Sequence, residues 1–155
     1  MPATTEPRQD VLERTRDAMH PLCIVCGREI GGGLNLRFSL RDDGSVEASF
    51  QCRQRLQGYP DTMHGGVTAA LLDGAMTNCL FAHGIAAVTA EMTVRFRHPI
   101  ELHDSLTVSA RIARSQSPLH VIEARIVQRE QVKATAAGKF MERPESHGVP
   151  QGVSR

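Results

Sequence analysis

From Gly65 to about His83 the chain carries a segment with almost no polar stripe. Val67, Ala70, Leu71, Ala75, Leu80 and Phe81 surround a few polar positions, Asp73, Thr77 and Asn78. Such a helix is apolar all round and has to be covered on every side, so the rest of the fold is built around it. An unpaired carboxylate inside it costs several kcal/mol or takes a shifted pKa. Asp73 therefore marks a place where the chain gives up stability for chemistry.

Beyond the helix the chain takes up the period of two that covers such an element. Val88, Ala90, Met92, Val94 and Phe96 alternate with Thr89, Glu91, Thr93, Arg95 and Arg97, and Pro99 closes the run. Leu106-Val108-Ala110-Ile112, Ile122-Ala124-Ile126 and Val132-Ala134-Ala136 repeat the pattern, with a turn at Ser115–Pro118. Before the helix, Leu34, Leu36, Phe38 and Leu40, then Val46, Ala48 and Phe50, predict a hairpin about Asp42-Asp43-Gly44. Six strands and one buried helix predict an α+β architecture, an antiparallel sheet curled around a central helix.

The 155 residues suffice for one core. The organisation expected is an N-terminal extension over residues 1–19 with a short helix from Asp10 to Met19, a domain over 20–142, and a loose tail over 143–155. A formal charge of +1 with interleaved signs argues against a general nucleic-acid binder. No run approaches a membrane span, the N-terminus lacks a signal-peptide pattern, and four cysteines do not form a secreted framework; a cytoplasmic protein with reduced thiols is expected.

His64-Gly65-Gly66 opens the helix. Free first-turn N–H groups beside glycine, at the positive end of the helix dipole, suit a polarised carbonyl or an oxyanion. Asp73, two turns on, is too distant to serve the same oxygen within one subunit. In a dimer with antiparallel helices it could face the partner's amides and activate water, or attack directly. The plainer alternative has His64 capping the helix and Asp73 bonded to nearby backbone.

The segment Gly58–Asp73, with Ala87–Pro99, resembles the hotdog-fold acyl-CoA thioesterases, in the branch of the 4-hydroxybenzoyl-CoA and phenylacetyl-CoA thioesterases. The resemblance covers roughly residues 22–142. It implies that Asp73 is general base or nucleophile, that Gly65, with Gly66, polarises the thioester carbonyl, and that His64 shapes the loop and bonds substrate. It further implies that Thr89 orients the attacking water and that no cofactor is required. The substrate would be an acyl-CoA or aryl-CoA, and the protein a homodimer or dimer of dimers with shared sites. Some members carry Asn or Gln where this chain has Gly58; Gln57 is the neighbouring candidate. A hotdog hydratase or dehydratase and a non-catalytic acyl-CoA-binding module are the rival readings.

Arg95, Arg97 and His98 are candidates for the CoA phosphates, with Arg111 and Arg114 behind them. Asn78 and Thr77 are candidates for the acyl pocket, lined by Met63, Met76, Met92 and Phe81. His20, Cys23 and Cys26, with Cys52 brought near Leu34 by the hairpin, form a candidate structural zinc site. Cys79 reads as core.

Overall fold

The structure is a computed structural model, and it describes residues 6–144. Expectations for residues 1–5 and 145–155, including the loose ends, lie outside the described residues. Helix α1 spans Gln9–Met19 and helix α2 Gly65–Ala82. The strands are β1 (Ser39–Leu40), β2 (Val46–Gln51), β3 (Ala87–Phe96), β4 (Ser105–Gln116), β5 (Leu119–Gln128) and β6 (Gln131–Glu142). They form one antiparallel sheet in the order β1-β2-β4-β5-β6-β3.

The inward rows follow the alternation on β2 (Val46, Ala48, Phe50), β4 (Leu106, Val108, Ala110), β5 (Ile122, Ala124, Ile126) and β6 (Ala134, Ala136), and β6 extends its row to Phe140. They close on Leu71, Leu72, Ala75, Met76, Cys79 and Leu80 of α2, all buried. Each large apolar side chain so removed from water contributes about 1.5–3 kcal/mol. Small residues on β6 let the sheet wrap closely. A Cβ at Gly138 would meet Phe140 at 2.7 Å and the Met76 sulfur at 3.1 Å.

Two departures from the sequence expectation matter for the site. First, the leading hairpin is short. Pairing stops at Ser39–Glu47, and residues 34–36 turn instead to the loop before them, through Leu34 N–H to Ile24 O (2.7 Å) and Leu36 N–H to Val25 O (2.9 Å). Second, β3 is not a uniform alternation. A bulge between Thr89 and Glu91 inserts Ala90, so Thr89 pairs with inward Phe140 while Glu91 pairs with Lys139. Thr89 thereby joins the helix-facing side with Met92 and Val94, and Val88 faces out.

Helix α1 caps the open end of the sheet by laying Leu12 and Arg16, both buried, toward α2. Among the described residues no helix is long and apolar enough to cross a membrane.

Candidate active site

The loop ahead of α2 is held by backbone bonds on both sides. Met63 N–H donates to Ile100 O (2.9 Å) and His64 N–H to Leu56 O (2.8 Å), with bridges Gln57–Met63 and Thr62–Glu101. His64 is the N-cap, and its Nδ1 accepts from Gly66 N–H at 2.9 Å. Val67 and Thr68 N–H both go to His64 O. Of the first-turn amides, Gly65 N–H therefore has no hydrogen-bond partner among the described residues. This narrows the donor pair expected from Gly65 and Gly66: the Gly66 amide is already engaged by the cap. With Nδ1 accepting, the neutral His64 ring carries its proton on Nε2, a second donor.

His64, Gly65 and Gly66 are exposed, and a groove of about 430 Å³ opens beside them, lined by Gly58, Tyr59, Thr62, Met63, His64 and Gly65. A Cβ on Gly58 would lie 3.1 Å from His64 Cα, so glycine is what lets the two strands of this loop approach. Gln57 supplies no free amide oxygen here, because Oε1 accepts from Asp61 N–H (3.2 Å) and from Gln54 Nε2 (2.7 Å). Tyr59, 84% exposed, and Thr62 also line the groove; neither stands out in sequence from an ordinary turn. Phe96 lies over the helix start, 3.6 Å from where a Gly65 Cβ would be.

Asp73 is half-buried rather than sealed, since it faces edge strand β3 and no strand lies beyond it. The Thr89 hydroxyl donates to Asp73 Oδ1 at 2.6 Å, a short bond of the charge-assisted kind. Oδ2 is left for a second task. Eight residues of continuous helix put Asp73 about 12 Å along the axis from Gly65, so no single carbonyl touches both within one chain.

Asn78 faces away from this site. It is fully buried, its Nδ2 donates to Gly74 O at 2.8 Å, and its amide lies against Cys26. Five residues rotate it about 140° from Asp73, which removes it from the acyl pocket. Met63, though buried, lines the groove; Thr77, Met76 and Phe81 are core, and Met92 is half-buried. Arg95 and Arg97 line a larger cleft of about 630 Å³, with Thr93, Arg111, Glu123 and Arg125. That cleft lies on the outward sheet face, since Arg95 pairs with Thr135 and Arg111 with Glu123. Size does not make it the reaction site; the free amide and the paired carboxylate are on the other side of the sheet. Arg111 is tied to Glu123 at 2.8 Å, and His98 lies past the end of β3, its N–H on Lys133 O.

His20, Cys23 and Cys26 come together, with their ligand atoms all within 4.8 Å of one another. Cys52 does not join them. Because residues 34–36 leave the hairpin, Cys52 is drawn instead to the β4 side, with its N–H on Asp104 O and its sulfur 4.0 Å from Gln128 Nε2. Burial holds His20 below its ordinary pKa, with Asp73 pulling the other way, and pushes the Cys26 thiol up to about 11.

The arrangement has relatives. Residues 61–135 match the family model of the thioesterase superfamily, a span that holds the groove, α2, Asp73 and Thr89. A solved thioesterase superfamily protein, 27% identical, superposes with a TM-score of 0.72 over 76% of this chain and 62% of that one. Over that matched span the chain is similar to the thioesterase superfamily. Its fold is the hotdog fold, a curled sheet on a central helix. The Escherichia coli PaaI protein of the phenylacetic acid degradation operon shares it at 24% identity, TM-score 0.67, over 72% of this chain and 81% of that one. So does a Streptococcus mutans protein solved bound to acetyl CoA, at 20% identity and TM-score 0.68, over 77% and 97%. Among curated relatives, the acyl-coenzyme A thioesterase THEM4 of Bos taurus is 29% identical over 75 residues, 48% of this chain and 30% of that protein. The Mus musculus protein of that name is 32% identical over 63 residues, 41% and 27%. The matches thus span about a third or less of those relatives' length.

Proposed function

We propose that this chain is a member of the thioesterase superfamily it resembles and hydrolyses acyl-CoA thioesters, in sites shared between two copies of the chain. The observation that carries the reading is the placement of the free Gly65 amide and the Thr89-bonded Asp73 at opposite ends of β3. Phe96, the last residue of that strand, lies against Gly65, and Thr89, near its start, holds Asp73. β3 is an edge strand with Val88 52% and Phe96 58% exposed. A second β3 pairing antiparallel along that edge would bring each chain's Asp73 opposite its partner's Gly65.

In such a site the Gly65 N–H, with His64 Nε2–H beside it, receives the thioester oxygen. Asp73 Oδ2 takes a proton from water as the water oxygen bonds to the carbonyl carbon, and Thr89 keeps the carboxylate aimed. The resulting oxyanion sits on the amide. Its collapse breaks the C–S bond, and the departing CoA sulfur takes the proton from Asp73, giving free acid and CoA. Each step uses a group of this chain. Arg95 and Arg97 would meet the CoA phosphates where the nucleotide end passes over the sheet edge.

A thiol-release screen over aliphatic and aryl CoA thioesters, beside Asp73→Asn, tests this. Release by wild type and its loss in the variant, with the fold retained, are expected. Turnover by Asp73→Asn at the wild-type rate would remove Asp73 from the mechanism. Binding without thiol release across the panel would leave an acyl-CoA-binding module, the reading favoured by the missing side chain at Gly58. One turnover in ¹⁸O-water tests for a nucleophile: label in the protein carboxylate would show that Asp73 attacks the carbonyl and that water then opens the anhydride at the aspartyl carbon.

A further inference from the structure

The second polar cluster of the molecule lies on the other side of α2 and takes no part in the reaction above. His20 Nδ1 is 3.6 Å from Cys26 Sγ, and Cys23 completes a group whose ligand atoms all fall within 4.8 Å. A tetrahedral zinc ion with ordinary bond lengths sets nitrogen and sulfur ligands about 3.5 Å apart. The chain folds back on Cys23: Val25 N–H donates to Cys23 Sγ at 3.4 Å, and Gly27 N–H closes the turn on the Cys23 carbonyl at 2.8 Å. This winding admits no side chain at Gly27, where a Cβ would lie 2.6 Å from Cys23 N and 2.7 Å from Pro21 O. Amides aimed at a ligand sulfur are the outer support that metal-binding thiolates use.

An independent observation comes from α2. Asn78 is fully buried, its amide lies against Cys26, and its Oδ1 has no hydrogen-bond partner. A buried amide oxygen left unsatisfied costs about 1–3 kcal/mol unless something fills its lone pairs. Arg16, 2% exposed, supplies positive charge close to Cys26, and its Nη2 makes no well-aligned hydrogen bond although Asp17 Oδ1 is 3.0 Å away.

We infer that His20, Cys23 and Cys26 bind one divalent soft-to-borderline metal ion, zinc by preference, whose fourth position is filled by oxygen at Asn78. Two thiolates and an imidazole select zinc over magnesium or calcium. The oxygen is Asn78 Oδ1 itself or a water it holds, and either satisfies the orphaned acceptor. The ion clamps the loop between α1 and α2 onto the central helix. Val25 packs there so closely that a Cβ on Gly74 would lie 2.5 Å from its Cγ1. Cys52 is no part of the site.

The test reads metal, not hydrolysis. Full-length protein, unfolded and refolded under reducing conditions with zinc, is desalted and assayed for bound metal. Cobalt(II) replaces zinc in a parallel sample. About one equivalent is expected, with cobalt giving the near-ultraviolet thiolate charge-transfer band. Cys23→Ser should lower affinity at least tenfold and weaken that band, whereas Cys52→Ser should leave both unchanged. Cys23 is half-exposed, so its variant is expected to fold even if that of buried Cys26 does not. Substoichiometric metal after refolding with zinc would overturn the inference. So would metal retained undiminished by Cys23→Ser, or a Cys23–Cys26 disulfide as the resting state in reduced cell extract.

Discussion

Among the polar side chains of helix α2, Asp73 and Asn78 lie on different flanks, which accommodate them differently. Asp73 faces the sheet edge, where β3 ends the sheet, and is half-buried with a hydroxyl at 2.6 Å. Asn78 faces the loop from α1, fully buried, with one atom satisfied by Gly74 and one left over. The open flank can hold a carboxylate because it is reached by solvent. The closed flank can keep only a neutral amide, and only if something completes its hydrogen bonding. The two proposals divide the same way: chemistry on the side that can exchange reactants, a clamp on the side that cannot.

The largest effect should come from the open flank. Asp73→Asn is expected to cut thioester hydrolysis by about 10²–10⁴-fold with the circular dichroism spectrum and Tm nearly unchanged. Gly65→Pro should cost about 10²–10³-fold by deleting one N–H. Proline suits the first helical position, and His64 already has the extended ψ of 134° that a following proline requires. Mixing the two inactive variants through unfolding and refolding sharpens the comparison. Random pairing restores one intact site in each hybrid, roughly a quarter of wild-type activity for a two-fold dimer. No recovery in a mixture shown to form hybrids would place amide and acid in the same chain's site.

Thr89→Val should lower turnover by about 10–100-fold, the range expected for a hydrogen bond to a charged group, and Thr89→Ser should restore most of it. On the closed flank, Gly74→Ala is expected to lower stability by about 1–3 kcal/mol through overpacking, and Val25→Ala in that background should recover part of the loss. Equal effects of Gly74→Ala with and without Val25 would show that the loop does not press there. The smallest effect is in thiol labelling of metal-free protein. Burial pushes Cys52 up to about 11 and Cys79 up to about 12, so at pH 8 both hold far less thiolate than an ordinary cysteine. Half-exposed Cys23 should label first, and Cys52 and Cys79 only on unfolding.

The apolar helix and the alternation of the strands around it were legible because burial imposes a period wherever one face is covered. That reading yielded six strands, the inward rows of β2, β4, β5 and β6 and the helix within a residue of its bounds, but not the row on β3. The candidate site positions His64, Gly65 and Asp73 were legible for a related reason: each breaks the local pattern. Features set by a partner distant in sequence could not be read in this way. Strict alternation puts Thr89 on the outer face of β3, and only the bulge at Ala90, required by pairing with β6, turns it to Asp73. Hairpin extrapolation puts Cys52 beside the Cys23–Cys26 loop, but Leu34 and Leu36 pair with Ile24 and Val25 and the hairpin ends early. Helical proximity puts Asn78 with the acyl pocket, yet rotation about the axis gives it to Cys26.

The sequence by itself thus determined the element types and the two ends of the reactive helix, because hydrophobic period and local helix-start chemistry are properties of neighbouring residues. Only the tertiary structure decided which Gly amide is free, which hydroxyl meets the acid and which cysteines meet the histidine. Those depend on register, bulges and competing backbone partners, where one residue of slip turns a side chain to the opposite face.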